Sequence, residues 1–163
     1  MVLSKEMFNE IYSKVPRLCV EVLIKTDEGF VLSKRLIPPC VGMWHIPGGT
    51  VYFGESLDDA VRRVSLEELG IKINILSVVG VVNYRYIYKE KEHSVAVIFF
   101  CELDGYQMFQ GSYQAEEIDI FHIDNIPEDT ILAHKKFLEL VDLRDKGDDG
   151  VYETFEYGGI KKC

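Results

Sequence analysis

One stretch, Gly48–Ile71 or GGTVYFGESLDDAVRRVSLEELGI, constrains this chain more than any other. Its glycine pair lets backbone approach a ligand closely, a short loop leads to Glu55, and a helix follows that ends in adjacent carboxylates and a glycine. Ser56 predicts the N-cap, worth roughly 1 kcal/mol over alanine, and Asp58 and Asp59 suit the positive end of the dipole. Gly70 supplies the left-handed stop, so the helix is expected over about Leu57–Leu69. At about 100° per residue Leu57, Ala60, Val61 and Val64 form one apolar stripe, and Glu68 comes next on it. A carboxylate therefore ends the buried face. Glu67 lies to one side, near Arg63 one turn earlier. Glu55 precedes Arg63 at a spacing that allows a charge-assisted hydrogen bond to brace the loop against the helix. An isolated SLEELG reads as an amphipathic helix with a solvated acidic end. The glycine pair and the Glu55–Arg63 spacing favour a phosphate and metal site, with the Gly48 carbonyl and Glu68 as oxygen ligands for a hard cation such as Mg²⁺.

Gly49, Glu55, Arg63, Glu67, Glu68, Leu69, Gly70 and Ile71, in that spacing, resemble the Nudix box, the signature of hydrolases acting on a nucleoside diphosphate linked to another group. Two positions depart from it: Val64 stands where a glutamate is usual, and Ser65 where an aliphatic residue is usual. The same departures occur in the GDP-mannose mannosyl hydrolase branch, which this chain resembles more closely than the generic box. The resemblance implies an α+β fold, an α/β/α sandwich around a mixed sheet, over roughly residues 4–146. It implies Mg²⁺, with Mn²⁺ as a substitute, fewer ions than members with a full carboxylate ladder hold, and a homodimer.

The same resemblance implies that Glu21 contacts a sugar nucleotide and that an arginine of the Lys34–Arg35 pair contacts the leaving diphosphate. Arg35 suits that role because its planar fork can hold two phosphate oxygens. In the branch, the loop before the last strand supplies a glutamine metal ligand and a histidine that activates water; here Ala115 and Glu116 stand at those places. Glu116 and Glu117 are left as candidate replacements, since a carboxylate can bind Mg²⁺ or accept a proton. Glu67 would support the metal from behind or bind it through water.

At 163 residues and 47% hydrophobic, the chain can bury one good core, which argues for a single domain over 1–163 with a loosely docked tail at 147–163. A net charge of −9 disfavours a general nucleic-acid surface. Cys19, Cys40, Cys101 and Cys163 form no paired metal-binding spacing, so incidental thiols are expected. No run approaches the roughly 18 apolar residues of a membrane span, and no secretory signal is evident, so a cytoplasmic protein is expected.

Elsewhere the chain reads as follows. Residues 4–15 predict an amphipathic helix that either covers the sheet or pairs chains. Strands are expected at 18–25 and 30–35; Glu21 interrupts the first, marking an outward face or a cleft. Trp44 is expected beneath the box helix, and His45, facing the other way, at the surface or a cleft edge. A strand over 72–88 puts Tyr84, Tyr86 and Tyr88 on one face, for packing or for stacking on a base or sugar. A charged turn, a return strand at 93–103, a loop at 104–117, a strand at 118–123 and a helix over about 129–146 complete it.

For such a chain the resemblance implies that water attacks the sugar carbon and the nucleoside diphosphate leaves. Attack on phosphorus, releasing a nucleoside monophosphate, is the alternative, and a nucleotide-binding domain without turnover is a third reading.

Overall fold

The computed structural model describes residues 3–38, 40–85, 93–112 and 115–145. Tyr86, Tyr88, the charged turn and the tail lie outside them. Helix α1 (Lys5–Tyr12) is capped by Ser4, whose hydroxyl accepts from the Met7 amide, and it buries none of its residues. Strands β1 (Arg17–Thr26) and β2 (Gly29–Arg35) form a hairpin. Two short strands follow, β3 (Trp44–His45) and β4 (Gly48–Thr50), then helix α2 (Leu57–Val64) with a π turn at Ser65–Leu69. Long strands β5 (Ile73–Arg85) and β6 (His93–Leu103), strand β7 (Ala115–Phe121) and helix α3 (Leu132–Asp145) complete the described chain.

The strands make one mixed sheet in the order β3-β2-β1-β6-β5, with β4 paired to β1 and β7 to β2. Only the β1–β6 pairing runs parallel among the described strands. β1 is apolar on both faces, which is why it reads as a near-continuous hydrophobic run. Val20, Val22 and Ile24 pack with Ala60, Val61, Val64 and Leu69 of the box helix and its π turn. Leu23 packs on the opposite side with Phe30, Leu32 and the α3 residues Phe137, Leu138 and Val141. The expected three-layer sandwich is what forms.

Three local expectations change. Trp44 joins the core on the α3 side, its ring edge-on to Phe121 with centroids 4.8 Å apart, and not the core beneath α2. Both faces of this sheet are apolar, so alternation alone does not say which one a tryptophan joins. The last helix begins at Leu132, because the preceding residues bridge to β3: the Trp44 amide donates to Asp129 O and the Ile131 amide to Trp44 O. Cys40 is disulfide-bonded, whereas Cys19 and Cys101 are free thiols; sequence spacing carries no sign of that bond.

The box helix also changes character. Its α-helical part stops at Val64, and Ser65–Leu69 form one π turn ending at Gly70, with φ 68°. In a continued α-helix Leu69 would stand about 140° around the axis from Val64. The wider turn brings Leu69 to the same core as Val64, and the Ser65 hydroxyl, fully buried, donates to Ile71 O at 3.0 Å. Single π turns in helices are frequent at functional sites.

Candidate active site

The Glu55–Arg63 contact forms as a two-pronged ion pair. Arg63 Nε lies 2.7 Å from Glu55 Oε1 and Nη2 lies 2.9 Å from Oε2. The same guanidinium donates to Thr50 O at 2.9 Å and to Glu67 Oε2 at 3.0 Å, and its centre sits 3.9 Å from the Tyr52 ring centroid. Glu55 Oε2 also accepts from the Tyr52 amide at 2.9 Å, closing the loop on itself. Hydrogen bonds from Arg63 hold the Glu55 carboxyl below its usual range.

The two adjacent glutamates separate cleanly. Glu67 is exposed and spends one oxygen on Arg63. Glu68 is only 4% exposed; the Gly48 amide hydrogen-bonds its carboxylate, and its Oε2 has no protein partner. Burial pushes the Glu68 carboxyl up to about 7, against the opposing pull of that amide and of the Arg35 charge. The glycines are required by proximity. A β-carbon on Gly48 would lie 2.8 Å from Val20 O and 2.9 Å from Glu21 Cγ, and one on Gly49 would lie 2.8 Å from Val64 Cγ2. Val64, where the resemblance would put a glutamate, is thus a core residue pressed on the turn.

Glu68 and Glu67 line a cavity of about 660 Å³, within the range of small-molecule sites, together with Arg35, Gly48, Glu21 and His134. Glu21 faces neither solvent nor plain core. It pairs in register with Gly48, and its Oε1 accepts from Tyr84 Oη at 2.7 Å. Its Oε2, like that of Glu68, is buried without a protein partner. Burial raises this carboxyl also to about 7, opposed by Tyr84 and by Arg35.

Two histidines back the turn. His134 Nδ1 accepts from the Ile46 amide at 2.8 Å, so the ring proton sits on Nε2, which lies 3.7 Å from Glu21 Oε1. Burial first, and Arg35 second, push His134 down to about 3, so the contact with Glu21 is that of a neutral imidazole and not an ion pair. His45 is buried rather than at the surface; its Nε2 lies 3.1 Å from Ser33 Oγ, and burial drives its pKa well below the usual histidine value. Arg35 Nη2 lies 3.5 Å from Pro38 O.

Other expected residues lie elsewhere. Lys34, next to Arg35 on β2, turns to the opposite side, where its Nζ is 3.3 Å from Glu117 Oε1 and 5.5 Å from the Trp44 ring centroid. Neither Lys34 nor Glu117 lines the cavity that holds Glu68. Glu116 lies on β7, and its side chain is outside the described residues. His134 carries a signal that reading by residue type overlooks: it falls on the Ile131–Leu138–Val141 stripe of α3, a polar residue on a buried face.

Fold and site together define a class: an α/β/α sandwich in which a glycine turn, a braced helix and buried carboxylates share one cavity. The NUDIX domain family matches residues 15–141, and the chain belongs to it. It is 36% identical over 99 residues to the low-salt glycan biosynthesis protein Agl8 of Haloferax volcanii, covering 58% of this chain and 64% of that protein's length. It is 28% identical over 127 residues to the ADP-ribose pyrophosphatase of Methanocaldococcus jannaschii, covering 76% and 72% of the two chains. Among solved structures, a MutT NUDIX hydrolase from Burkholderia pseudomallei superposes with a TM-score of 0.71 at 29% identity, over 78% of this chain and 98% of that one. A NUDIX hydrolase from Nitrosomonas europaea gives 0.72 at 20% identity, over 87% and 78%, a likeness of fold.

Proposed function

We propose that the protein is a metal-dependent hydrolase of nucleoside diphosphate-linked sugars such as GDP-mannose, releasing the sugar and the nucleoside diphosphate. The observation that carries this reading is one cavity lined by Arg35 and Glu68, groups for a diphosphate and its cation, and by the buried acceptor Glu21. The likeness to a glycan biosynthesis protein supports it. The likeness to an ADP-ribose pyrophosphatase favours a second reading, cleavage between the two phosphorus atoms.

The donor set fits Mg²⁺, or Mn²⁺ in its place. Glu68 offers a buried oxygen without a protein partner, and the Gly48 carbonyl is the second expected ligand. Among the described residues no three acidic, histidine or cysteine side chains form a ready cage. Mg²⁺ commonly uses one or two carboxylates plus substrate phosphates and waters, which matches so sparse a set. Bound there, the ion would offset charge developing on the diphosphate. Arg35 adds a permanent positive charge with a planar fork for phosphate oxygens. Arg63, through Glu55 and Thr50, holds the turn and helix in fixed relation, and Glu67 completes that brace. In hydrolysis the water oxygen bonds to the sugar carbon as the carbon–oxygen bond to phosphate breaks, the bonding electrons leave with the nucleoside diphosphate, and the proton that water gives up passes to solvent. The chain acts as a homodimer, with α1 as contributor: it buries nothing within the single chain, and Met7 and Ile11 are exposed.

Turnover of a panel of nucleotide sugars with Mg²⁺ in ¹⁸O water tests the reading. Label in the sugar is expected. Label in a phosphate product selects the second reading, and no hydrolysis of any nucleotide sugar or dinucleotide overturns both. Sedimentation of the purified protein tests the dimer.

A further inference from the structure

His134 joins three parts of the cavity wall. It comes from α3, accepts the Ile46 amide two residues before the glycine turn, and presents its Nε2 to Glu21 of β1. Tyr84 of β5 reaches the same Glu21 oxygen from across β6, whose small Ser94 and Ala96 line the cavity between them. Tyr84 Oη thus donates to Oε1, His134 Nε2 faces the same oxygen from 3.7 Å, and Oε2 has no protein partner. A buried carboxylate oxygen without a donor is costly, and a ligand hydroxyl supplies what is missing.

The imidazole has only one way to serve both neighbours. Protonation of Nδ1 would set its N–H against the Ile46 N–H, donor to donor, so the ring stays neutral with its proton on Nε2. A neutral imidazole therefore faces Glu21 from 3.7 Å, placing an N–H beside the carboxylate without bringing a counter-charge. Arg35 of β2, His45 of β3, Arg63 of α2 and Glu67 and Glu68 of the π turn also line this cavity with ionisable groups.

We propose that His134 is a positioning residue which, with Tyr84, fixes Glu21 so that Oε2 receives a hydroxyl of the glycosyl group attached to the diphosphate. This rests on the reading of a nucleotide-sugar substrate. It makes α3, the element farthest along the described chain, part of the selection for that group, and it leaves recognition of the diphosphate to Arg35 and to the cation that Glu68 would hold.

Two substitutions separate this role from simple support of the turn. His134→Gln keeps an N–H of similar reach toward Glu21 and loses the acceptor for Ile46; His134→Asn keeps the acceptor and loses the donor. Binding of GDP-mannose, read as KM from initial rates, and of GDP, read as its inhibition constant, each with Mg²⁺, supplies the readout. His134→Asn is expected to weaken GDP-mannose about tenfold while changing GDP less than about twofold, and His134→Gln is expected to stay near wild type. Glu21→Gln should lose the same preference, and adding His134→Asn to it should cost nothing more. The proposal is overturned if His134→Asn binds GDP-mannose as wild type does, if it loses GDP equally, or if its loss persists in the Glu21→Gln background. Should the His134 variants fail to fold, an unchanged preference in Glu21→Gln overturns it alone. Wild-type protein that binds neither compound overturns the nucleotide-sugar reading itself, a result distinct from binding without the predicted preference.

Discussion

Arg63 and Glu55 meet through two parallel hydrogen bonds of 2.7 and 2.9 Å, and the arginine nitrogen that makes the longer one also donates to Thr50 O, just past the glycine turn. One planar group thus ties the turn, the loop and the helix. A lysine has the charge without the fork. Arg63→Lys is expected to cost about 2 kcal/mol of stability and to lower turnover at least about tenfold by loosening Glu68, which does not itself change. Thermal denaturation and steady-state kinetics on the one variant check both; retention of full activity would show that the brace does not set the site.

Val64 presses its Cγ2 on Gly49 from a fully apolar core. Restoring the family's usual glutamate there should not restore a metal ligand. Val64→Glu buries a charge with no partner, and a loss of at least about 3 kcal/mol is expected. Chemical denaturation measures it. A stable variant with raised Mg²⁺ affinity would mean that the helix can turn this position toward the cavity.

Glu68 also predicts a pH dependence. Its carboxyl titrates near 7 in the folded protein, against an ordinary value of 4.5, so the folded state holds the proton longer than the unfolded one. Stability from this group is therefore full below about pH 4.5, is lost as pH rises to about 7, and is level beyond. Without divalent cations, Glu68→Gln should be more stable than wild type at pH 8 by on the order of 3 kcal/mol and by much less at pH 5. The comparison is made between variant and parent because His134, depressed to about 3, works in the opposite sense below its ordinary value of 6.5. Equal stability of the two proteins at both pH values would contradict the burial of Glu68. Mg²⁺ should stabilise the wild type at pH 8 and leave Glu68→Gln nearly unaffected.

What sequence could show here follows the distance along the chain between partners. Ser56 as the helix cap, which accepts from the Asp59 amide, Glu55 with Arg63 and Gly70 as a helix stop lie within a few turns of one another, and each reads directly from spacing. The individual strands and helices read from their apolar runs, whereas the mixed sheet with its two covering layers is what the resemblance to the Nudix box implies. Glu21 is different: its partners are 63 residues away at Tyr84 and on the last helix at His134. No local pattern joins them. Trp44 was legible as buried but not as to which face, because β1 and β2 carry apolar residues on both. The π turn escaped because its residues are ordinary helix formers, and the shift in hydrogen bonding is driven by packing of Leu69.

The most direct test of the site as a whole is steady-state hydrolysis of GDP-mannose by the wild-type protein and by Glu68→Gln, with and without Mg²⁺. Removing a main electrostatic stabiliser of the reaction typically costs about 100-fold or more in turnover. The expected result is Mg²⁺-dependent turnover in the wild type that falls at least about 100-fold in the variant, with GDP as the nucleotide product. Turnover that is unchanged in Glu68→Gln, or that does not depend on the cation, would contradict the assignment of the diphosphate and its metal to this cavity.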